Sequence, residues 1–216
     1  ASDVYKRQGY SPLALYVQPG HHAGYYPGSK PLHIKTVTER ESGRLLGAQV
    51  IGEEGVDKRV DVFATAIYHQ MRLEDLLQLD LAYAPPYSAA RDPLIIAGAV
   101  GQNYYQGDWD PISPHELKAK LDEGESFVLV DVRTRLELQE RGPLPGALHI
   151  PIDLLRRQLQ KLDSEKETIL YCAQGFRSYL GNRILAMRGF KCVRTLSGGM
   201  DNWMYEGESA AAQATD

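Results

Sequence analysis

One stretch constrains this chain more than any other: Thr168-Ile169-Leu170-Tyr171-Cys172-Ala173-Gln174-Gly175-Phe176-Arg177-Ser178. Its first four residues form an apolar run of strand length. From Ser178 to Met187, Leu180, Ile184, Leu185 and Met187 recur at helical spacing until Gly189 ends the pattern. Cys172 therefore falls where a strand hands over to a helix. In such a turn successive backbone N–H groups converge on the sulfur, and the helix N-terminus adds partial positive charge, so thiolate is favoured over thiol. Arg177 adds a full cation, and Gly175 the backbone freedom a tight loop needs. Buried cysteines that only pack are common. Packing alone does not call for this glycine, this arginine and this strand-loop-helix order together, and the pattern points to a nucleophilic sulfur.

The surrounding region alternates strands and helices. Ser113, Pro114 and Glu116 make a capping box with proline at the first helical position, opening a helix that runs to about Asp122. A strand from Val128 to Asp131, a polar helical segment near Arg135 to Arg141 and a turn and strand over Pro143 to Pro151 follow. A helix is then expected from Ile152 to Leu162, with Leu154, Leu155, Leu159 and Leu162 on its apolar face. This alternation predicts a parallel sheet with helices on both sides and the Cys172 loop at the carboxyl end of a strand. Asp131 and Arg133 end a neighbouring strand and are expected to support the loop. Asp131 would accept backbone or arginine donors, and Arg133 would pair with a carboxylate such as Glu137. Cys192 lies in a short run leading to Val193 and reads as an ordinary strand residue.

Four segments in this order resemble the rhodanese domain: Phe127-Val128-Leu129-Val130-Asp131-Val132-Arg133, Leu144-Pro145-Gly146-Ala147-Leu148-His149-Ile150-Pro151, the Cys172 loop, and Val193-Arg194-Thr195-Leu196-Ser197-Gly198-Gly199-Met200-Asp201-Asn202-Trp203. The resemblance implies a sulfurtransferase whose Cys172 carries a persulfide within a loop of Ala173, Gln174, Gly175, Phe176 and Arg177. Related loops in cell-cycle phosphatases and arsenate reductases separate cysteine and arginine by five residues. Here four separate Cys172 from Arg177, a ring better suited to a terminal sulfur than to phosphate. Many family members have Gly-His-Ile-Pro where this chain has Gly142-Pro143-Leu144-Pro145, so no histidine-assisted step is expected there.

Before this region, strands are expected at Leu13 to Val17, Leu32 to Glu39 and Arg44 to Gly52, the last two joined by Glu41-Ser42-Gly43. A helix follows from about Val56 to Met71, with Val60, Val62, Phe63, Ala66, Ile67 and Met71 forming a broad apolar face, and a shorter one from Leu73 to Leu79. This is an α+β unit. With His21-His22-Ala23-Gly24-Tyr25-Tyr26-Pro27-Gly28, Leu46-Gly47-Ala48-Gln49-Val50-Ile51-Gly52 and the rigid segment Tyr83-Ala84-Pro85-Pro86-Tyr87, it resembles the dimerisation domain of flavin-dependent pyridine nucleotide-disulfide oxidoreductases. Among these it is most similar to coenzyme A disulfide reductases, some of which are fused to a rhodanese domain. The resemblance implies a homodimer through residues 9–102 in which this domain completes the partner's active site. Tyr25 and Tyr83 would approach flavin and reactive cysteine, Arg91 would pair with a coenzyme A phosphate, and His21 would lie on the substrate side. The alternative is that Tyr25, Tyr26, Tyr83 and Tyr87 simply fill a dimer interface.

The expected fold class is α/β: an α+β domain that resembles a reductase dimerisation domain, followed by a rhodanese-like α/β domain with a central parallel sheet. The expected boundaries are a non-native tail over 1–8, domains at 9–102 and 112–208 around an Asn/Gly/Asp/Pro-rich linker at 103–111, and a disordered tail over 209–216. The 216 residues are 43% hydrophobic with a net charge of −4, and no basic block suggests nucleic acid. Apolar runs are too short for a bilayer, two cysteines make no disulfide framework, and a reducing cytoplasm is the expected location. The histidines show no zinc-like spacing, so no metal is expected. No Gly-x-Gly-x-x-Gly is present, so this chain alone is expected to hold neither FAD nor NAD(P)H, which with coenzyme A serve the full-length enzyme that the resemblance implies. The expected substrates are small thiols and persulfides: coenzyme A, glutathione or polysulfide. A non-catalytic module for dimerisation and sulfur-carrier recruitment is the alternative function.

Overall fold

The computed structural model describes residues 2–203. The expected tail at 209–216 and the last residues of the second domain lie outside them. The chain divides into two compact units, Ala1–Gln106 and Gly107–Asp216.

The first unit is built on an antiparallel sheet in the order β1 (Pro12–Val17), β2 (Leu32–Glu39), β3 (Leu45–Gly52). Strand alternation turns Leu13, Leu15 and Val17 inward, with Val17 opposite Ile34. The register shifts between Val37 and Thr38, and Gly43, at φ +74°, closes the expected hairpin turn. A short helix α1 (Ser2–Arg7) precedes the sheet, and the Tyr5 hydroxyl donates to the Leu46 carbonyl at 2.7 Å. Through this bond α1 is tied to β3.

Helix α2 (Val56–Tyr68) stops three residues short of the expected Met71. Gln70 adopts φ +55°, and the Met71 N–H returns to the Ala66 carbonyl, a left-handed helix end made without glycine. Its buried face is Arg59, Phe63 and Ala66, while Val60 is exposed. The expected second helix is a 3-10 turn, Leu73–Gln78.

Helix α3 (Pro93–Tyr105) has no counterpart in the sequence reading. Its segment is apolar nearly all round and carries two glycines, so it lacks the 3.6-residue stripe that marks a helix. The glycines have a packing reason. A Cβ on Gly98 would lie 3.1 Å from the Leu76 Cβ and 3.2 Å from both the Leu73 carbonyl oxygen and the Leu77 nitrogen, so α3 approaches the 3-10 turn at backbone distance. Gly98→Ala is expected to lower stability by about 1–2 kcal/mol, despite alanine's better helix propensity, as read by thermal or urea unfolding. The helix also takes in Asn103–Tyr105 from the expected linker, because its aromatics are anchored. The Tyr105 hydroxyl bonds Thr38 Oγ1 at 2.7 Å, and the Tyr104 hydroxyl accepts from Arg40 at 2.8 Å.

The second unit holds a five-stranded sheet, parallel at every pairing, in the order β4-β8-β7-β5-β6: β4 (Pro111–Ile112), β5 (Val128–Asp131), β6 (Leu148–His149), β7 (Thr168–Tyr171) and β8 (Val193–Leu196). Pro111 is therefore a strand residue, not linker, and Trp109 Nε1 donates to Thr195 Oγ1. Helices α4 (Pro114–Asp122) and α5 (Arg135–Arg141) begin in capping boxes, Ser113 with Glu116 and Thr134 with Glu137. Strand β7 is buried on both faces. Leu170 and Cys172 enter one core with Val130, Ile150 and Leu185, while Ile169 and Tyr171 enter the other with Ile112, Leu117 and Leu196. The expected helix over Ile152 to Leu162 is broken into α6 (Ile152–Leu155) and a 3-10 turn, Leu159–Lys161. Its backbone N–H groups bond three residues back, Arg157 to Leu154 and Leu162 to Leu159, in tight turns that still bury Leu155 and Leu162. Leu154, placed on the apolar face by periodicity, is exposed.

Candidate active site at the Cys172 loop

Cys172 leaves the carboxyl end of β7, between β8 and β5, and α7 (Phe176–Ala186) begins four residues later. Gly175, at φ +106°, forms the N-cap, and this conformation turns its N–H onto the Cys172 sulfur at 3.1 Å. Ser178 Oγ stands 3.8 Å from the sulfur and donates to the Gly175 carbonyl at 2.8 Å, locking the turn. The cysteine is only 1% exposed, whereas Gln174 and Phe176 face solvent.

A second glycine backs the loop. Helical backbone resumes at 199 and continues through 203, and its first amides are spent on the loop: Met200 N–H donates to the Cys172 carbonyl at 2.9 Å, and Asp201 N–H to the Ala173 carbonyl at 3.0 Å. Gly199 has φ +63°, and a Cβ there would meet the Ala173 carbonyl oxygen at 2.5 Å. Only glycine allows the two backbones to lie this close. The Asp201 carboxylate also pairs with Arg141.

The arginines pair differently from the expectation. Glu137 takes Arg177, accepting from Nη1 at 2.7 Å and Nη2 at 2.5 Å. The same carboxylate caps α5, receiving the Thr134 N–H at 2.9 Å and its hydroxyl at 2.8 Å. The Arg177 guanidinium, ahead of the Thr134 cap, pulls the Glu137 carboxyl down to about 2. In return Glu137, and after it the Cys172 sulfur, hold the Arg177 proton more firmly than usual against partial burial. Arg133 instead chelates Asp131, through Nη2 at 2.6 Å and Nε at 3.0 Å, because both are sealed in the interior where an unmatched charge is costly. Arg133 also donates to the Gly142 carbonyl at 2.6 Å and lies 5.5 Å from the centre of the Tyr171 ring. The Tyr171 hydroxyl accepts from the Leu144 N–H at 3.0 Å. This buried pair thus holds the residue that immediately precedes Cys172.

In the first unit the Tyr25 and Tyr83 hydroxyls, 58 positions apart in sequence, are hydrogen-bonded at 3.0 Å. Both rings face solvent, Tyr25 at 76% and Tyr83 at 49% exposure. The bond to Tyr25 holds the Tyr83 phenol above its ordinary range. Arg91 is exposed. His21 is buried, its Nδ1 accepting the Lys30 N–H at 2.9 Å and its Nε2 lying 3.4 Å from Glu54. Cys192 is free, exposed and just ahead of β8, not within it. Partial burial of its sulfur, then Glu167 and Asp110, push its thiol up, away from the reactive thiolate. No group of three or more metal-ligating side chains occurs among the described residues. No described helix is long and apolar enough to cross a membrane.

Residues 5–94 match the pyridine nucleotide-disulphide oxidoreductase dimerisation domain, and residues 113–206 match the rhodanese-like domain. The chain joins these two domains. A coenzyme A disulfide reductase of Staphylococcus epidermidis is 42% identical over 86 residues, 40% of this chain and 20% of that protein. The reduced CoADR-RHD of Bacillus anthracis superposes with a TM-score of 0.89 at 37% identity, covering 94% of this chain and 36% of that one. A NAD-dependent persulfide reductase from A. fulgidus gives 0.83, also at 37% identity and with the same coverage. The chain spans about a fifth of the curated reductases and about a third of the chains in these two solved structures.

Within the rhodanese-like domain, Cys172 lies between a strand and a helix with Gly175 in the turn. At the sulfur itself, one amide, that of Gly175, makes the described bond. Glu137 and Gly199 were not assigned site roles from sequence. The signal for Glu137 was present: Thr134-x-x-Glu137 is a capping box. In the dimerisation domain, Tyr25 and Tyr83 come together, whereas His21 and Arg91 do not join them in any described hydrogen bond or ion pair.

Proposed function

We propose that this chain is the persulfide-handling part of a flavin-dependent reductase of coenzyme A disulfide, persulfides or polysulfides. The bond from the Gly175 N–H to the Cys172 sulfur, at the start of a helix, carries the reading. That donor and the positive helix end stabilise negative charge on sulfur without any proton transfer. The Cys172 thiolate attacks the outer sulfur of a persulfide, a new S–S bond forms, and the donor's inner sulfur leaves as thiolate. The loop from Ala173 to Arg177 stabilises the Cys172 persulfide until an acceptor thiol removes its outer sulfur. Asp131 and Arg133 serve as loop support.

FAD and NAD(P)H enter this proposal as carriers bound by other domains of such a reductase, and no step here runs through them. The dimerisation domain places two copies together, with the exposed Tyr25–Tyr83 pair offered to the partner's flavin side and Arg91 to a coenzyme A phosphate. With coenzyme A persulfide as donor and cyanide as acceptor, sulfur transfer by the full chain is expected to fall to background in Cys172→Ser and to persist in Cys192→Ser. Retained turnover in Cys172→Ser would overturn the catalytic reading. The near-complete enclosure of the sulfur favours the alternative, a module that dimerises and recruits sulfur carriers without reacting, and that reading requires no transfer above background in the wild-type chain.

A further inference from the structure

We propose that Glu137 is a specificity-determining residue, one that masks the loop's cation and so directs Cys172 toward persulfide donors and away from doubly charged thiosulfate. The inference rests on the persulfide reading above and names what sets its donor. Within the loop, Ala173, Gln174, Gly175 and Phe176 are neutral, and Arg177 is the single charge. That charge is met at both Nη atoms by both carboxylate oxygens of Glu137, a fork-to-fork geometry that leaves little net field for an incoming anion. The mask is itself fixed: the Thr134 amide and hydroxyl hold Glu137 Oε2, so the carboxylate cannot swing aside without uncapping α5. It stays ionised throughout the neutral range, its carboxyl being held far below its ordinary value. The nearby pairs Arg133 with Asp131 and Arg141 with Asp201 are also internally neutral, so they supply no replacement cation.

The two donors place different demands on the loop. From thiosulfate, the Cys172 thiolate takes the outer sulfur, the S–S bond to the sulfonyl sulfur breaks, and its electron pair leaves with sulfite. A dianion must be bound and a dianion released. From a protonated persulfide, Cys172 takes the outer sulfur with its hydrogen and the donor's inner sulfur leaves as a thiolate, a single charge at the reacting centre. The first route gains more from an unmasked Arg177.

Glu137→Gln tests this in the full chain, since glutamine still accepts in the capping box and preserves shape while removing the charge. Initial rates with thiosulfate and with coenzyme A persulfide, cyanide being the acceptor, are expected to show the thiosulfate KM falling on the order of tenfold with little change in kcat, and persulfide kinetics staying within about twofold. Glu137→Asp keeps the charge and is expected to keep the wild-type donor ratio. An unchanged ratio in Glu137→Gln, at wild-type melting temperature, would overturn the proposal, as would an equal loss with both donors, which a purely structural role gives. Should the wild type take sulfur from neither donor, the persulfide reading itself fails, and this inference with it.

Discussion

Gly199→Ala is expected to cost about 3 kcal/mol of stability and to slow sulfur transfer by about a hundredfold. Two penalties combine. At φ +63° an alanine is in the left-handed region, at roughly 1–2 kcal/mol, and its Cβ would sit 2.5 Å from the Ala173 carbonyl oxygen and 2.6 Å from that of Cys172. Those are backbone atoms, which cannot turn away as a side-chain tip can, so the loop moves and the overpacking adds about 1–3 kcal/mol. The displaced atoms include the carbonyls that receive the Met200 and Asp201 amides, and shifts near 1 Å at a reacting centre are enough for about a hundredfold loss. Urea unfolding and the coenzyme A persulfide to cyanide rate check both numbers. Wild-type values for either would mean that the 199–203 segment does not hold the loop.

Asp92→Ala in the dimerisation domain is expected to destabilise by about 3–5 kcal/mol, because it strands a charge. Arg59 is 1% exposed, and its Nη2 donates to Asp92 Oδ2 at 2.8 Å and to the His21 carbonyl at 2.8 Å. Without the carboxylate the guanidinium stays buried and unmatched. Asp92 also caps α3 by accepting the Leu94 N–H at 3.0 Å, so the helix end loosens too. Burial pushes this carboxyl up, but the Ser88 hydroxyl, the Leu94 amide and Arg59 together hold it below its ordinary value. The sign follows: the stability it contributes is full above about pH 4, the unfolded value, and is lost as pH falls through the lower folded one. Unfolding midpoints of wild type and Asp92→Ala should therefore converge toward low pH. A constant gap from pH 7 to 2 would show that the carboxylate's charge is not what matters.

These two sites also show what was legible in the sequence. The Cys172 turn could be read because strand, glycine and helix leave local marks: an apolar four-residue run, Gly175, and Leu180, Ile184, Leu185 and Met187 at helical spacing. The parallel sheet could be read for the same reason, since strands and helices alternate along the sequence and α4 announces itself by a capping box. Helix α3 could not, because its reason is tertiary. Gly98 and Gly101 look like breakers until Leu73 and Leu76 are seen pressed against them. Arg59 was equally hidden, a charge within an apolar face whose partner lies 33 residues on. Asp131 was expected to accept arginine donors and Arg133 to pair with a carboxylate such as Glu137; burial chose between them, the enclosed arginine taking the enclosed aspartate and leaving Glu137 for the partly exposed Arg177.

The central claim, that Cys172 carries transferable sulfur, is tested most directly by mass spectrometry of the full chain after exposure to coenzyme A persulfide, with peptide mapping and Cys172→Ala as control. The account predicts the mass of one added sulfur atom on the Cys172 peptide, released by a small thiol and absent from the variant. Sulfur found on Cys192 instead, or an unmodified Cys172 in correctly folded protein, would contradict it.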